Sequence, residues 1–286
     1  MSRHPFLPLL TLAALLSAPV AHAEVENCTV ITSLPTTIST QGLYCLTEDL
    51  STPIESGEAI AVEVNNVTID CNGFKLGGLA AGDDTRTRGI YALDRLNTVV
   101  RNCSIRGFNF GVYFFGGGGH VVEDNRFDNE TFIGIGLIGT DGDIIRRNHI
   151  VDTGGNTPVI ISTDGQAYGI AAQSASGLLI EHNSVVDTTA TAGTGKVAYG
   201  ITAVSSQGVL RDNVVQTVLG DGANKSYGIV ATGAARVVLR DNSVINPATD
   251  GYAISASADS WCADNHLLGF SSGQIGACQD GGGNTP

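Results

Sequence analysis

The segments VVEDNRF (121–127), IIRRNHI (144–150), LIEHNSV (179–185), VLRDNVV (209–215) and VLRDNSV (238–244) are five copies of one pattern. Each copy has two apolar or β-branched residues, two polar ones, an Asn, any residue, then an apolar one. WCADNHL (261–267), TIDCNGF (68–74) and VVRNCSI (99–105) fit the same frame, the last with Cys in place of Asn. The repeated column is therefore Asn72, Cys103, Asn125, Asn148, Asn183, Asn213, Asn242 and Asn265. Between successive copies lies a second pattern: RGIYA (88–92), FGVYF (110–114), IGIGL (133–137), YGIAA (168–172), YGITA (199–203), YGIVA (227–231) and YAISA (252–256).

Column positions are 31, 22, 23, 35, 30, 29 and 23 residues apart. Self-similarity at such a period is the mark of a solenoid whose neighbouring units bury one continuous core. The shorter spacings suit one turn of a parallel β-helix, and the longer ones are the same turn with a loop added. The pattern predicts an all-β, single-stranded, right-handed parallel β-helix of about eight turns, roughly 40 Å long at about 4.8 Å per turn. One interior column is Ile69, Val100, Val122, Ile145, Ile180, Leu210 and Leu239; the other is Phe74, Ile105, Phe127, Ile150, Val185, Val215, Val244 and Leu267. No charge interrupts either column. Composition agrees: charged residues are 15% against about 25% in ordinary domains, and 37 of 286 residues are Gly. The formal charge of −13 leaves no basic face for a nucleic acid.

On these residues the chain resembles the right-handed β-helix proteins of the pectate-lyase-like superfamily, in its exported bacterial form. The lead-in TVITSLPTTISTQGLYCLTEDL (29–50), followed by NNVTIDCNGFKL (65–76), is similar to the way those proteins start their first turns. The resemblance implies a carbohydrate-associated protein of unspecified reaction, because the superfamily holds lyases, hydrolases, epimerases and members without known activity.

Residues 1–23 read as a signal peptide: Arg3 and His4, an apolar run from Phe6 to Val20, then Ala21-His22-Ala23 as the cleavage site. The run is too short for a membrane span. Cleavage near Ala23 would release a secreted or periplasmic protein of charge −14. Residues 24–64 are expected to cap the amino end, 65–268 to form the helix and 269–286 to cover or fray from the other end. Cys28, Cys45, Cys71, Cys103, Cys262 and Cys278 all lie after the cleavage site. An even count in an exported chain favours disulfides, although six cysteines allow fifteen pairings. The sequential set Cys28–Cys45, Cys71–Cys103 and Cys262–Cys278 is preferred.

Several columns resemble sites. Asn72, Asn125, Asn148, Asn183, Asn213, Asn242 and Asn265 read as a structural amide ladder. Arg101, Glu123, Arg146, Glu181, Arg211 and Arg240, two residues earlier, read as an ion-pair ladder. Counting strand parity back from the Ile of each Gly-Ile segment puts Tyr168, Tyr199, Tyr227 and Tyr252 inside the helix as an aromatic stack. The same count puts the glycines outside, on a face whose ionisable groups are Tyr91 and Tyr113 alone. Added loops near 77–87, 152–167, 187–198 and 217–226 should form a wall along one side. There Asp152 and Asp187, each four residues after its column Asn, are the candidate catalytic residues. Stacking would place their Cα atoms about 5 Å apart, near the carboxylate spacing of retaining glycosidases. The alternative is that both only shape their loop turns, as Asp does and as Asn129 and Asn246 would at equivalent positions.

Asp83-Asp84 with Arg86 and Arg88, and Asp141 with Asp143, are acidic clusters that fall short of a complete Ca²⁺ site. The histidines have no zinc spacing, and no other cofactor is indicated. Two function classes remain. One is a polysaccharide lyase or hydrolase acting along the loop wall; the other is a non-catalytic binding or structural solenoid at the cell surface or in the periplasm. Oligomeric state is open.

Overall fold

The computed structural model describes residues 27–155, 165–222, 225–271 and 277–285. The expected signal peptide and parts of the 152–167 and 217–226 loops lie outside them. The described chain is a right-handed parallel β-helix, with one 3-10 turn at Leu79–Ala81 and no α-helix. Three parallel sheets of eleven, nine and nine strands run its length. The first contains the Asn-pattern strands, from Thr29–Val30 and Gly42–Cys45 through Thr98–Arg101 and Leu178–Glu181 to Trp261–Ala263 and Gln279–Asp280. The second contains the Gly-Ile strands, from Thr36–Ile38 and Arg86–Leu96 to Gly251–Ala256. The third runs from Leu50–Ser51 to His266–Phe270. The stack therefore takes in strands of the lead-in and of the tail.

Strand register follows the repeat. Val122 pairs with Val100 and Ile145, and Ile180 with Ile145 and Leu210, so like side chains stack from turn to turn. Apart from Phe74, both apolar columns are buried. Charges two residues before the Asn pair across turns: Arg101 with Asp70 at 2.8 Å, Arg146 with Glu123 at 2.7 Å and Arg211 with Glu181 at 2.5 Å. All three are partly exposed and contribute little each.

The first sheet turns into the third through a left-handed residue (Asn102, Asp124, Arg147, His182, Asp212, Asp241 or Asp264, φ 52–56°) followed by the ladder residue. Asn148 shows the ladder's logic. Its Nδ2 donates to Val122 O at 2.8 Å and to Asn183 Oδ1 at 3.0 Å, and its backbone N–H donates to the same oxygen at 3.0 Å. Corner N–H groups that pair with no strand are thus satisfied inside the core. Asn125, Asn148, Asn183, Asn213, Asn242 and Asn265 all take part, and Cys103 donates its N–H to Asn125 Oδ1.

Two expectations are corrected here. Asn72 is exposed and outside the ladder, its Nδ2 donating to Leu46 O. Leu76, not Phe74, pairs with Ile105 in the interior column. One cause serves both. The corner from Ile69 to Leu76 is two residues longer than that from Val100 to Ile105, and Asn72-Gly73 (φ 51° and 83°) bulge outward. The ladder also has a rung the repeat did not reveal: Asn284 Oδ1 accepts from Asn265 N and Nδ2 at 3.1 and 2.9 Å. The tail is therefore docked there.

All six cysteines are paired as Cys28–Cys45, Cys71–Cys103 and Cys262–Cys278, with Cα separations of 5.8, 4.7 and 6.0 Å. Such a set is characteristic of proteins in an oxidising, extracytoplasmic environment. Among the described residues no helix is long and apolar enough to cross a membrane.

Candidate functional site

The second sheet reverses the parity that simple alternation suggests. Each Gly of the Gly-Ile segment points inward, and so does the Ile after it. A Cβ on Gly169, Gly200 or Gly228 would collide with Val185, Val215 or Val244, and one on Gly111 with Phe127. Burial alternation breaks at this Gly: it is buried together with the residue after it, it is skipped in the strand register, and the residue before it is turned outward. The position is Gly in six of the seven segments, and in the last, YAISA, Ala253 takes its place, fully buried. Tyr168, Tyr199, Tyr227 and Tyr252 are therefore not in the core. They form a half-buried stack on the outer face, with ring centroids 4.7, 5.3 and 5.6 Å apart. The face also carries an ion pair that the sequence count missed, Arg88 with Glu58 at 2.5 Å.

The aromatic column continues past Tyr168. Phe132 meets the Tyr168 ring edge to face at 5.5 Å and the Phe110 ring at 5.4 Å. The opposite margin is Phe115, Ile138, Gln173 and Val204, one in each turn. Between the two margins Gly136, Ala171 and Thr202 stack as a floor of small residues. The result is a depression of about 310 Å³ lined by Phe110, Tyr113, Phe132, Ile133, Tyr168 and Ala172, by these floor residues and, of the margin, by Ile138, Gln173 and Val204. Among the described residues no carboxylate, Lys, Arg or His lines it. Partial burial raises the phenol pKa of Tyr113 and Tyr168, so both hydroxyls stay protonated and able to donate. Tyr168 donates to Gln166 Oε1 at 2.6 Å.

Asp152 and Asp187 lie on adjacent turns, since Val151 pairs with Val186 and Thr153 with Thr188. With Gly154, Gly155 and Thr189 to Ala192 they border a shallow hollow of about 380 Å³ on the loop side. Both have left-handed backbones, φ 54° and 56°, as do Asn129 and Thr217 at the same position in other turns. Asp and Asn adopt this conformation more readily than other side chains carrying a Cβ. The remaining acidic clusters are divided. Asp141 is exposed and accepts from Ser176 Oγ, whereas Asp143 is buried and accepts from the N–H of His120 at 2.9 Å. His120 in turn accepts the Thr98 N–H on Nδ1 at 3.3 Å. Burial lowers the His120 pKa and raises that of Asp143. These two serve a second polar corner, between the second and first sheets, which Ser206 and Ser260 continue below. Asp83 and Asp84 are exposed. Among the described residues no cluster of three or more His, Cys, Asp or Glu could hold a metal.

The model of the family described as "right handed beta helix region" matches residues 14–215. The chain belongs to the right-handed β-helix family. As a member of it, the chain is similar to solved structures at low identity. The Dettilon tailspike protein matches with a TM-score of 0.54 at 13% identity, covering 90% of this chain and 56% of its own. This β-helix thus spans little more than half of that tailspike. An alginate lyase from Paenibacillus sp. matches at 14% identity and TM-score 0.46, covering 87% of this chain and 94% of its own. A tailspike of E. coli bacteriophage HK620, solved with a pentasaccharide, matches at 13% identity and TM-score 0.40, covering 89% and 55%. No curated protein matches the sequence of this β-helix.

Proposed function

We propose that this β-helix is an exported, non-catalytic glycan-binding protein that holds a neutral saccharide in the aromatic depression of its second sheet. The observation that carries the reading is the uncharged aromatic lining: Phe110, Tyr113, Phe132 and Tyr168 around a floor of Gly136, Ala171 and Thr202. The apolar faces of sugar rings pack on aromatic side chains, while Tyr hydroxyls and Gln173 supply the few polar groups that orient a ligand. An anionic polysaccharide would meet a protein of charge −13 with no cation among the described residues of the depression to offset the repulsion. A hydrolase or lyase needs a positioned acid or base at the bound chain, and among the described residues this lining has none. Export would follow removal of residues 1–23 after Ala23, into the periplasm or beyond, a reading supported by the three disulfides.

The test is calorimetric titration of the purified protein with neutral and acidic oligosaccharides. Binding is expected for a neutral glycan and should weaken about tenfold or more, about 1.4 kcal/mol, in Phe132→Ala or Tyr168→Ala. Binding of acidic glycans alone, or binding indifferent to both substitutions, would refute the reading.

A further inference from the structure

We infer that the depression is the closed end of a trough and takes the terminus of a glycan chain, not its interior; this inference rests on the glycan reading above. One strand, Phe110–Gly118, sets three rings side by side across the face. Phe110 and Tyr113 lie 4.6 Å apart, and Tyr113 and Phe115 6.4 Å apart. Phe110 belongs to one margin and Phe115 to the other, so the three rings bar the whole width. The bar is backed one turn behind. Tyr91 stacks on Tyr113 at 5.6 Å, and the Arg88 guanidinium lies 4.0 Å from the Tyr91 ring centre while paired with Glu58. The barrier is therefore two turns deep and stiffened by an ion pair and a cation–π contact.

On the other side of the bar the floor drops. The position of Tyr113 becomes Gly136, then Ala171, Thr202, Val230 and Ser255 in successive turns. The Tyr113 ring leans over Gly136, where a Cβ would come within 2.9 Å of it. Five small residues at about 4.8 Å per turn make an open floor roughly 20 Å long. The stacked tyrosines run down one side of it. A linear neutral glycan lying in this trough can extend away from the bar but not through it.

The test uses wild-type protein and two probe sets: linear β-1,4-xylo-oligosaccharides and malto-oligosaccharides of two to ten units, and cyclodextrins as ring-closed glucans without ends. For a chain-end site, affinity per mole of chain levels off once the trough is full, and cyclodextrins compete at least tenfold more weakly than linear maltohexaose. For an interior site, affinity per chain keeps rising with length in proportion to the number of internal registers, and the rings compete with comparable strength. That second result would overturn the inference while leaving glycan binding intact. If no linear probe binds, both readings fall together. Tyr113→Ala combined with Tyr91→Ala lowers the bar and should restore the length dependence. The wild-type comparison with cyclodextrins decides the matter even where that variant folds poorly.

Discussion

Asn183 gives both its backbone N–H and its side-chain Nδ2–H to a single oxygen, Oδ1 of Asn213 one turn further on, at 3.1 and 3.0 Å. Asn213 also reaches back to Ile180 O at 2.9 Å. Asn213→Ala removes these bonds and leaves buried donors without partners. At about 1 kcal/mol per bond the loss is about 3 kcal/mol, lowering Tm by roughly 6–12 °C. Asn72→Ala, on an exposed residue with one bond to Leu46 O, should stay within about 1 kcal/mol of wild type. Calorimetry on both variants tests the assignment. Equal losses would mean that Asn72 belongs to the ladder after all.

The inward glycines make a sharper prediction. Gly200→Ala forces a methyl against Val215 and the Gly228 carbonyl, an overpacking cost of about 1–3 kcal/mol. Shortening the neighbour, as in Gly200→Ala with Val215→Ala, should recover part of it through coupling between touching residues. If Gly200 faced solvent, the single change would be neutral or stabilising, and the double variant would simply add the loss from Val215. Chemical denaturation of the four proteins separates the cases.

Glu130 is fully buried, and neither carboxylate oxygen has a hydrogen-bond partner. Burial raises its pKa well above the ordinary carboxyl value, with Asp128 adding to the rise and Arg106 opposing it. The folded state therefore keeps this proton at a pH where the unfolded chain has released it. Stability from this group is full below about pH 4.5 and falls as pH rises toward the folded pKa. Glu130→Gln removes the titration. Between pH 5 and pH 8 the wild-type Tm should fall more steeply than that of the variant, His120 and Asp143 contributing equally to both. Parallel profiles would contradict the account.

Asp152 and Asp187 lie close in space, yet their shared left-handed backbone explains the residue type without chemistry. Asp187→Asn should leave Tm unchanged, whereas Asp187→Val should cost about 1–2 kcal/mol, because a β-branched side chain resists positive φ. Asp152 should behave likewise. A polysaccharide-cleaving activity that vanished in Asp152→Asn or Asp187→Asn at unchanged Tm would instead transfer the pair to catalysis.

The repeat made the three-sheet stack, two interior columns and most of the ladder legible, because a stacked core tolerates no slip: Ile145 must sit under Val122 and over Ile180. Local departures were less legible. Two extra residues at Asn72-Gly73 displaced Asn72 and Phe74, and nothing in that short stretch distinguishes a wider corner from a regular one. The aromatic face was hidden for a related reason. Alternation from Ile170 back to Tyr168 holds only in a regular strand, and the consecutive burial of Gly169 and Ile170 reverses it. The recurrence of Gly or Ala before each Ile was the available signal: an outward position would have admitted larger residues in at least one of seven turns. Phe132 and Asn284 stand outside the repeated strings, so only the folded chain joins them to their columns.

Because every rung of the ladder donates toward the following turn, the rod has a polarity. A chain emerging amino end first would always finish a turn with its Asn donors facing forward, ready to template the turn still to come. Growth by such a rule has no natural stopping point, and a bare final rung would offer the same invitation to any passing strand. Asn284 accepts from Asn265 as the other rungs accept from theirs, but its own Nδ2 turns back to Cys262 O and sideways to Asp280 Oδ1, so at this rung the side-chain donors are spent locally and not offered forward.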